Sequence, residues 1–317
     1  MSPANPIQYQ RNSGKAAAVM FIGLCVTLIL LSWIFISSLS TEESDTTTEP
    51  APFLSAPESL SLVQPRLVSD RSTICAGQPF TLGIYFEIKP GWHIYWKHPG
   101  DAGLASRAPL ILPEGFKASP LQFPLPERFV QPGNITGYGY TEAVMLCVEI
   151  QPPADLPPGQ TLSFMAKPDW LACAGQCIPG RATLEIILNT GTAALPGPEH
   201  ELLEKWRSKL PLPADHPEAP FQSKINLNQS PDGKEGNLHI TLNWRFKPRR
   251  VEIFPVPPPE GIFKIRRIRT QDRQTVIEVD FPKAEGVSKE AFPELLITYF
   301  HTDGQRRGVV LPIDFRH

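Results

Sequence analysis

Between Phe80 and Ile88 every second residue is large and apolar: Phe80, Leu82, Ile84, Phe86 and Ile88. Strand side chains point alternately to opposite faces, so this pattern fits a strand with one buried face. A helix would scatter the same five residues around its circumference. Lys89-Pro90-Gly91 then turns the chain, and Trp92-His93-Ile94-Tyr95-Trp96 resumes in extended style. The same period sets Trp92, Ile94 and Trp96 on one face and His93 and Tyr95 on the other. Further short strand signals cover Val144–Ile150, Leu162–Ala166 and Ala182–Leu188, divided by proline and glycine. Later, Leu238, Ile240, Leu242, Trp244 and Phe246 alternate, as do Ile277, Val279 and Phe281, and Asp303-Gly304 reads as a hairpin turn. The 36 prolines suit many short strands joined by turns and argue against long helices. Only Glu199–Leu210, with Leu202, Leu203, Trp206 and Leu210 at helical spacing, reads as a helix outside the N-terminal region. The expectation is an all-β chain of two sandwich domains.

The N-terminal region follows other rules. Ala16–Ile36 is a run of mostly apolar residues without charge, long enough to cross a bilayer. Arg11 and Lys15 precede it, while Glu42, Glu43 and Asp45 follow, which favours a cytoplasmic N-terminus and an exported remainder. A cleaved leader is the alternative reading, and the length of the run favours an uncleaved anchor. The expected organisation is a cytoplasmic tail over 1–15, a transmembrane anchor over 16–39 and a flexible linker over 40–65. A first sandwich over 66–194, a helix and linker over 195–221 and a second sandwich over 222–317 follow. The formal net charge of −2 argues against a nucleic-acid partner, and the apolar share of 41% against a disordered chain.

Four of the five cysteines fall outside the apolar run: Cys75, Cys147, Cys173 and Cys177. The last two frame a short turn, Trp170-Leu171-Ala172-Cys173-Ala174-Gly175-Gln176-Cys177-Ile178-Pro179-Gly180, with strand-like sequence on both sides. A hairpin through Ala174-Gly175-Gln176 would bring both sulfurs within bonding reach. A bridge closing about five residues contributes only roughly 2 kcal/mol through chain entropy, against roughly 4–5 kcal/mol for a hundred-residue loop. Such a pair suits redox exchange better than stapling, although both readings stand on residues alone. Zinc does not fit, because the spacing is not Cys-x2-Cys and no second ligand pair is evident. Cys75 and Cys147, on presumed strands, are candidates either for a second disulfide or for two buried thiols. The basic run Lys264-Ile265-Arg266-Arg267-Ile268-Arg269 reads as the solvated face of a strand, with an anionic docking surface as the lesser reading.

Several longer motifs occur in a fixed order. They are Gly91-Trp92-His93-Ile94-Tyr95-Trp96-Lys97-His98-Pro99-Gly100-Asp101-Ala102-Gly103-Leu104, Leu112-Pro113-Glu114-Gly115, Pro124-Leu125-Pro126-Glu127-Arg128-Phe129, Gly137-Tyr138-Gly139-Tyr140 and the cysteine turn itself. Over residues 66–190 the chain resembles the N-terminal periplasmic domain of the DsbD/ScsB thiol:disulfide interchange family. The resemblance implies an immunoglobulin-like sandwich, no cofactor, and Cys173 and Cys177 as the redox pair of a protein-disulfide reductase component. It places His93 and Tyr95 among aromatic residues lining that pair, with Trp170 beside it. It also puts Glu127, Phe129 and Tyr138 in a stretch that caps the cysteines. The implied location is the bacterial inner membrane, with both sandwiches in the periplasm. The partners implied are a membrane-embedded or thioredoxin-like electron donor and oxidised periplasmic proteins as acceptors. No multi-helix membrane domain and no thioredoxin-type Cys-x-x-Cys follows Leu195, so the donor is expected to be a separate polypeptide. The rival from another class is a non-catalytic envelope interaction module in which Cys173–Cys177 only pins a loop.

Overall fold

The computed structural model describes residues 56–229, 235–256, 264–282 and 294–313. The expected tail, the anchor over 16–39 and most of the linker lie outside the described residues. Among the described residues no helix is long and apolar enough to cross a membrane. Phe53–His317 forms one compact unit.

The architecture is all-β, and its first strand starts earlier than the pattern of residues suggests. A short helix, Ala56–Leu62, carries Pro57 in its first turn, where a missing amide proton costs nothing. It runs directly into the strand Val63–Ser69, so the last ten positions of the expected linker, 56–65, are regular structure. That strand pairs with Phe80–Ile88, which pairs with Ala143–Gln151. Against this sheet lie two others. One contains Arg71–Ile74, Leu184–Thr190 and Thr161–Ala166; the other contains Cys177–Arg181, Asp169–Cys173, His93–Gly100, Ile135–Tyr140 and Glu127–Gln131, in that order. Phe80, Leu82, Ile84, Phe86 and Ile88 face the shared core with Ile94, Trp96, Tyr140, Phe164 and Trp170, which accounts for their alternation.

The strand Phe80–Ile88 is nevertheless buried on both faces over its first half. The helix His200–Arg207 lies across its outer side, with Leu203 fully buried against Val68, Met145 and Cys147. Gly83 makes that approach feasible: a side chain there would run into Met145 and Leu203. Leu202, Trp206 and Leu210 pack around the same contact.

The second sandwich encloses its own core between two sheets. One holds Phe221–Gln229, Glu235–Trp244, Gln274–Pro282 and Lys264–Gln271, and the other Arg249–Val256, Glu294–Phe300 and Arg306–Pro312. Leu238, Ile240, Leu242 and Trp244 from the first sheet meet Ile253, Leu295, Ile297 and Val309 from the second. The basic strand Lys264–Gln271 is a sheet edge, and its Arg266, Arg267 and Arg269 are exposed.

Candidate redox site

Asp169–Cys173 and Cys177–Arg181 form an antiparallel hairpin with Cys173 directly opposite Cys177. Ala174-Gly175-Gln176 closes it, the Ala174 amide donating to the Gln176 carbonyl at 2.9 Å. The two cysteines are joined by a disulfide, with Cα atoms 4.1 Å apart. Below them the alternate residues Trp170, Ala172, Ile178 and Gly180 face the core. Gly180 has no side chain because the Trp170 indole occupies that space, and the indole meets Phe86 edge-on at 5.7 Å. The hairpin is therefore rooted by packing, independently of the sulfur bridge. Its two sulfurs differ in setting: Cys173 is buried and Cys177 exposed.

The strand His93–Gly100 supplies the next wall, with His93 opposite Cys173 and Ile94 opposite Ala172. Period two then carries Ile94 and Trp96 into the core and turns His93 and Tyr95 to the cysteine side. The Tyr95 hydroxyl donates to Cys173 Sγ at 3.6 Å. Gln131 Nε2 donates to that hydroxyl at 2.8 Å and lies 3.2 Å from His93 Nε2. Burial pushes the His93 pKa down, which favours the neutral ring that can accept from the amide. Phe129 covers both residues, its ring centroid 4.2 Å from that of His93 and 6.1 Å from that of Tyr95. Ser106 Oγ donates to the Tyr95 carbonyl at 2.6 Å. Gly103, at φ +111°, passes so close over the Tyr95 ring that a side chain would enter it. Donors thus run from Gln131 through Tyr95 to the buried sulfur.

Glu127–Gln131 and Ile135–Tyr140 make a second hairpin that leans over this wall, hereafter the cap. Phe129 and Gln131 share its inner face because they are two apart on a strand. Gly137, opposite Phe129, leaves room for the ring, and Gly139 allows close approach to the Ile94 carbonyl. Those demands explain the Gly137-Tyr138-Gly139-Tyr140 motif.

Residues 61–189 match the family model described as the N-terminal domain of thiol:disulfide interchange protein DsbD. The first sandwich is a DsbD N-terminal domain. The N-terminal periplasmic domain of ScsB from Proteus mirabilis is similar in structure, with a TM-score of 0.58 and 18% identity over 83% of this chain and 97% of that one. That coverage exceeds residues 61–189, so the likeness in fold takes in the second sandwich. The YadV chaperone, with a TM-score of 0.21 and 10% identity over 78% of this chain and 99% of that one, is too distant in structure to bear on the site. Among curated proteins none matches the chain in sequence.

Within the DsbD-type sandwich, Cys173, Cys177, His93, Tyr95 and Phe129 come together as expected from the motifs. Three other expected lining residues do not. Glu127 sits at the root of the cap, away from the cysteines, where it accepts a hydrogen bond from Thr141 Oγ1 at 3.1 Å. Tyr138 occupies the outer face, its ring 5.1 Å from that of Phe254 in the second sandwich. Trp170 is core, beneath the hairpin rather than beside the sulfurs. Cys75 and Cys147 are free, buried thiols and not a second disulfide. Cys147 lies under the helix His200–Arg207, whereas Cys75 lies just past the strand Arg71–Ile74 of another sheet. Burial raises the Cys147 pKa to about 12, which keeps that thiol protonated. Ser106 escapes notice in the sequence, Gln131 leaves only a trace, two residues past Phe129, and Gly103 stands in the Gly91–Leu104 motif without its close contact to the Tyr95 ring being legible there. Among the described residues no cluster of His, Cys, Asp or Glu is placed to hold a metal ion.

Proposed function

We propose that this chain is a membrane-anchored, periplasm-facing component of a protein-disulfide reductase system that relays reducing equivalents through Cys173 and Cys177. The observation that carries the reading is the asymmetry of the pair: an exposed sulfur bonded to a buried one that already receives a hydrogen bond from Tyr95. A donor thiolate attacks Cys177 Sγ, the Cys173–Cys177 bond breaks, and Cys173 leaves as a thiolate held by the Tyr95 hydroxyl. The donor's second thiol then displaces Cys177, so the donor becomes a disulfide and the pair a dithiol, with two electrons moved. In the second half the Cys177 thiolate attacks an oxidised partner, and Cys173 resolves the mixed disulfide. Donor and acceptor must dock in turn on the same small turn. A membrane-embedded or thioredoxin-like protein fits the first role and an oxidised periplasmic protein the second. Anchoring through residues 16–39 and an immunoglobulin-like class for both sandwiches belong to the same reading. The rival staple has little left to do, since Trp170 packing and five paired positions already hold the hairpin.

Single-serine variants test the assignment. Cys173→Ser should accumulate mixed disulfides at the exposed Cys177, while Cys177→Ser should trap far less through its buried thiol; both should stop partner reduction. Equal trapping by the two variants would remove the assigned order of attack. Partner reduction that survives loss of both cysteines would remove the relay itself.

A further inference from the structure

We infer that the second sandwich holds the cap closed over the redox site, with Arg128, Phe254 and Arg306 as its positioning residues. The cap has two faces, and the second sandwich grips the outer one. Phe129 and Gln131 point inward to His93 and Tyr95, whereas Arg128 and Tyr138 point outward. Arg128 Nη2 donates to the Ile253 carbonyl at 2.8 Å, and its guanidinium lies 5.6 Å from the Tyr138 ring centroid and 5.5 Å from that of Phe254. A planar cation set over two adjoining rings, with one of its donors fixed on a carbonyl, is a setting that lysine cannot reproduce. From the other side, Arg306 Nη2 donates to the carbonyl of Pro126, the residue just before the cap, at 2.7 Å. Its guanidinium lies 5.7 Å from Phe254 and 3.6 Å from the Glu252 carboxylate.

The cap has a thinner hold on its own sandwich. Its outer strand, Glu127–Gln131, is a sheet edge, and its inner strand pairs with His93–Gly100 only at Ile94, Tyr95 and Gly100, across a register shift. Towards the tip, Thr136 and Asp101 exchange two hydrogen bonds, at 2.8 and 2.9 Å. The strand that bears Tyr95 is also backed from the second sandwich: the next residue, Trp96, is buried with its ring 6.2 Å from Phe254. One phenylalanine therefore supports both walls that enclose the buried sulfur. Losing Arg128 or Arg306 should free the root of the cap and withdraw Gln131 from Tyr95, opening a path to Cys173.

The consequence for partners rests on the exchange reading, but the clamp itself can be measured without it. In a Cys177→Ser background, Arg128→Gln and Arg306→Gln should each raise the rate of iodoacetamide alkylation at Cys173 on the order of tenfold, the effect of one lost charge-assisted hydrogen bond on an opening equilibrium. In the oxidised full chain, the same substitutions should speed amide hydrogen exchange in residues 127–140 and leave the sheet of Phe221–Gln229 and Gln274–Pro282 unchanged. Arg128→Lys should recover little of the protection. Unchanged alkylation and exchange in folded variants would overturn the clamp, as would a uniform rise in exchange across both sandwiches. Failure of wild-type protein to reduce any disulfide partner would sink the relay and leave these readouts standing.

Discussion

Cys177 is exposed and Cys173 is not, although the two face each other across one hairpin. Cys177 lies on the edge strand of its sheet, whereas Cys173 lies one strand in, walled by His93–Gly100 and in contact with the Tyr95 hydroxyl, which donates to its sulfur. Removing that hydroxyl with Tyr95→Phe leaves the ring packing and takes away a donor that stabilises the leaving thiolate. Reduction of the disulfide by a dithiol should slow by roughly two- to tenfold, the range for one hydrogen bond; an unchanged single-turnover rate would show that the contact has no role in the exchange. His93 bears on stability through pH. Its folded pKa is lowered from 6.5 by burial, so the unfolded chain binds the proton more readily as pH falls below that value. The stabilisation is complete above pH 6.5 and is lost as pH drops towards the lowered folded value. His98 shifts the same way, with Asp101 opposing. Urea midpoints should fall between pH 8 and pH 5.5, and His93→Gln should lessen the fall; an equal or steeper fall in the variant would count against this account. The motif residues told of an aromatic wall, but not which sulfur it serves, because exposure is a property of the packed hairpin and not of Cys-x3-Cys spacing.

The hairpin Asp169–Arg181 was readable as an element because its turn is bounded by Trp170 and by Pro179-Gly180. It should survive loss of its bridge. With about five residues in the closed loop, replacing both cysteines by serine should cost only about 2 kcal/mol, a fall in melting temperature of roughly 4–8 °C. A double variant with no cooperative melt would show that the bridge, and not Trp170, holds the hairpin. The cap was far less legible. Glu127-Arg128-Phe129-Val130-Gln131 lacks apolar alternation, and its partner strand carries Gly137 and Gly139, residues that strands ordinarily avoid. Both glycines answer to close approach by neighbours, a demand that no local pattern records. The strand Phe80–Ile88 shows the converse. Its alternation correctly located the core face, yet the opposite face is also covered, because a helix more than a hundred residues later packs on Gly83.

At the scale of the whole molecule, the boundary expected between residues 195 and 221 divides the strands but not the packing. Phe254 and Leu296, on strands of the second sandwich, belong to the buried cluster of the first. Lys97 adds an ion pair to Glu294 at 2.6 Å, with both side chains about one-third exposed, so its contribution is small beside that apolar contact. A seam made of buried rings couples the two folding equilibria, since neither sandwich can unfold without leaving Trp96, Tyr138 and Phe254 facing water. Calorimetry of the full chain should therefore show one transition for the two sandwiches, with calorimetric and van't Hoff enthalpies in agreement. Phe254→Ala should lower that transition on the order of 10 °C, from about 3–5 kcal/mol for a phenylalanine deleted from a core, while keeping it single. Two resolved transitions in the wild-type chain would make the sandwiches independent modules. A variant in which only one of two transitions moved would assign Phe254 to that sandwich alone.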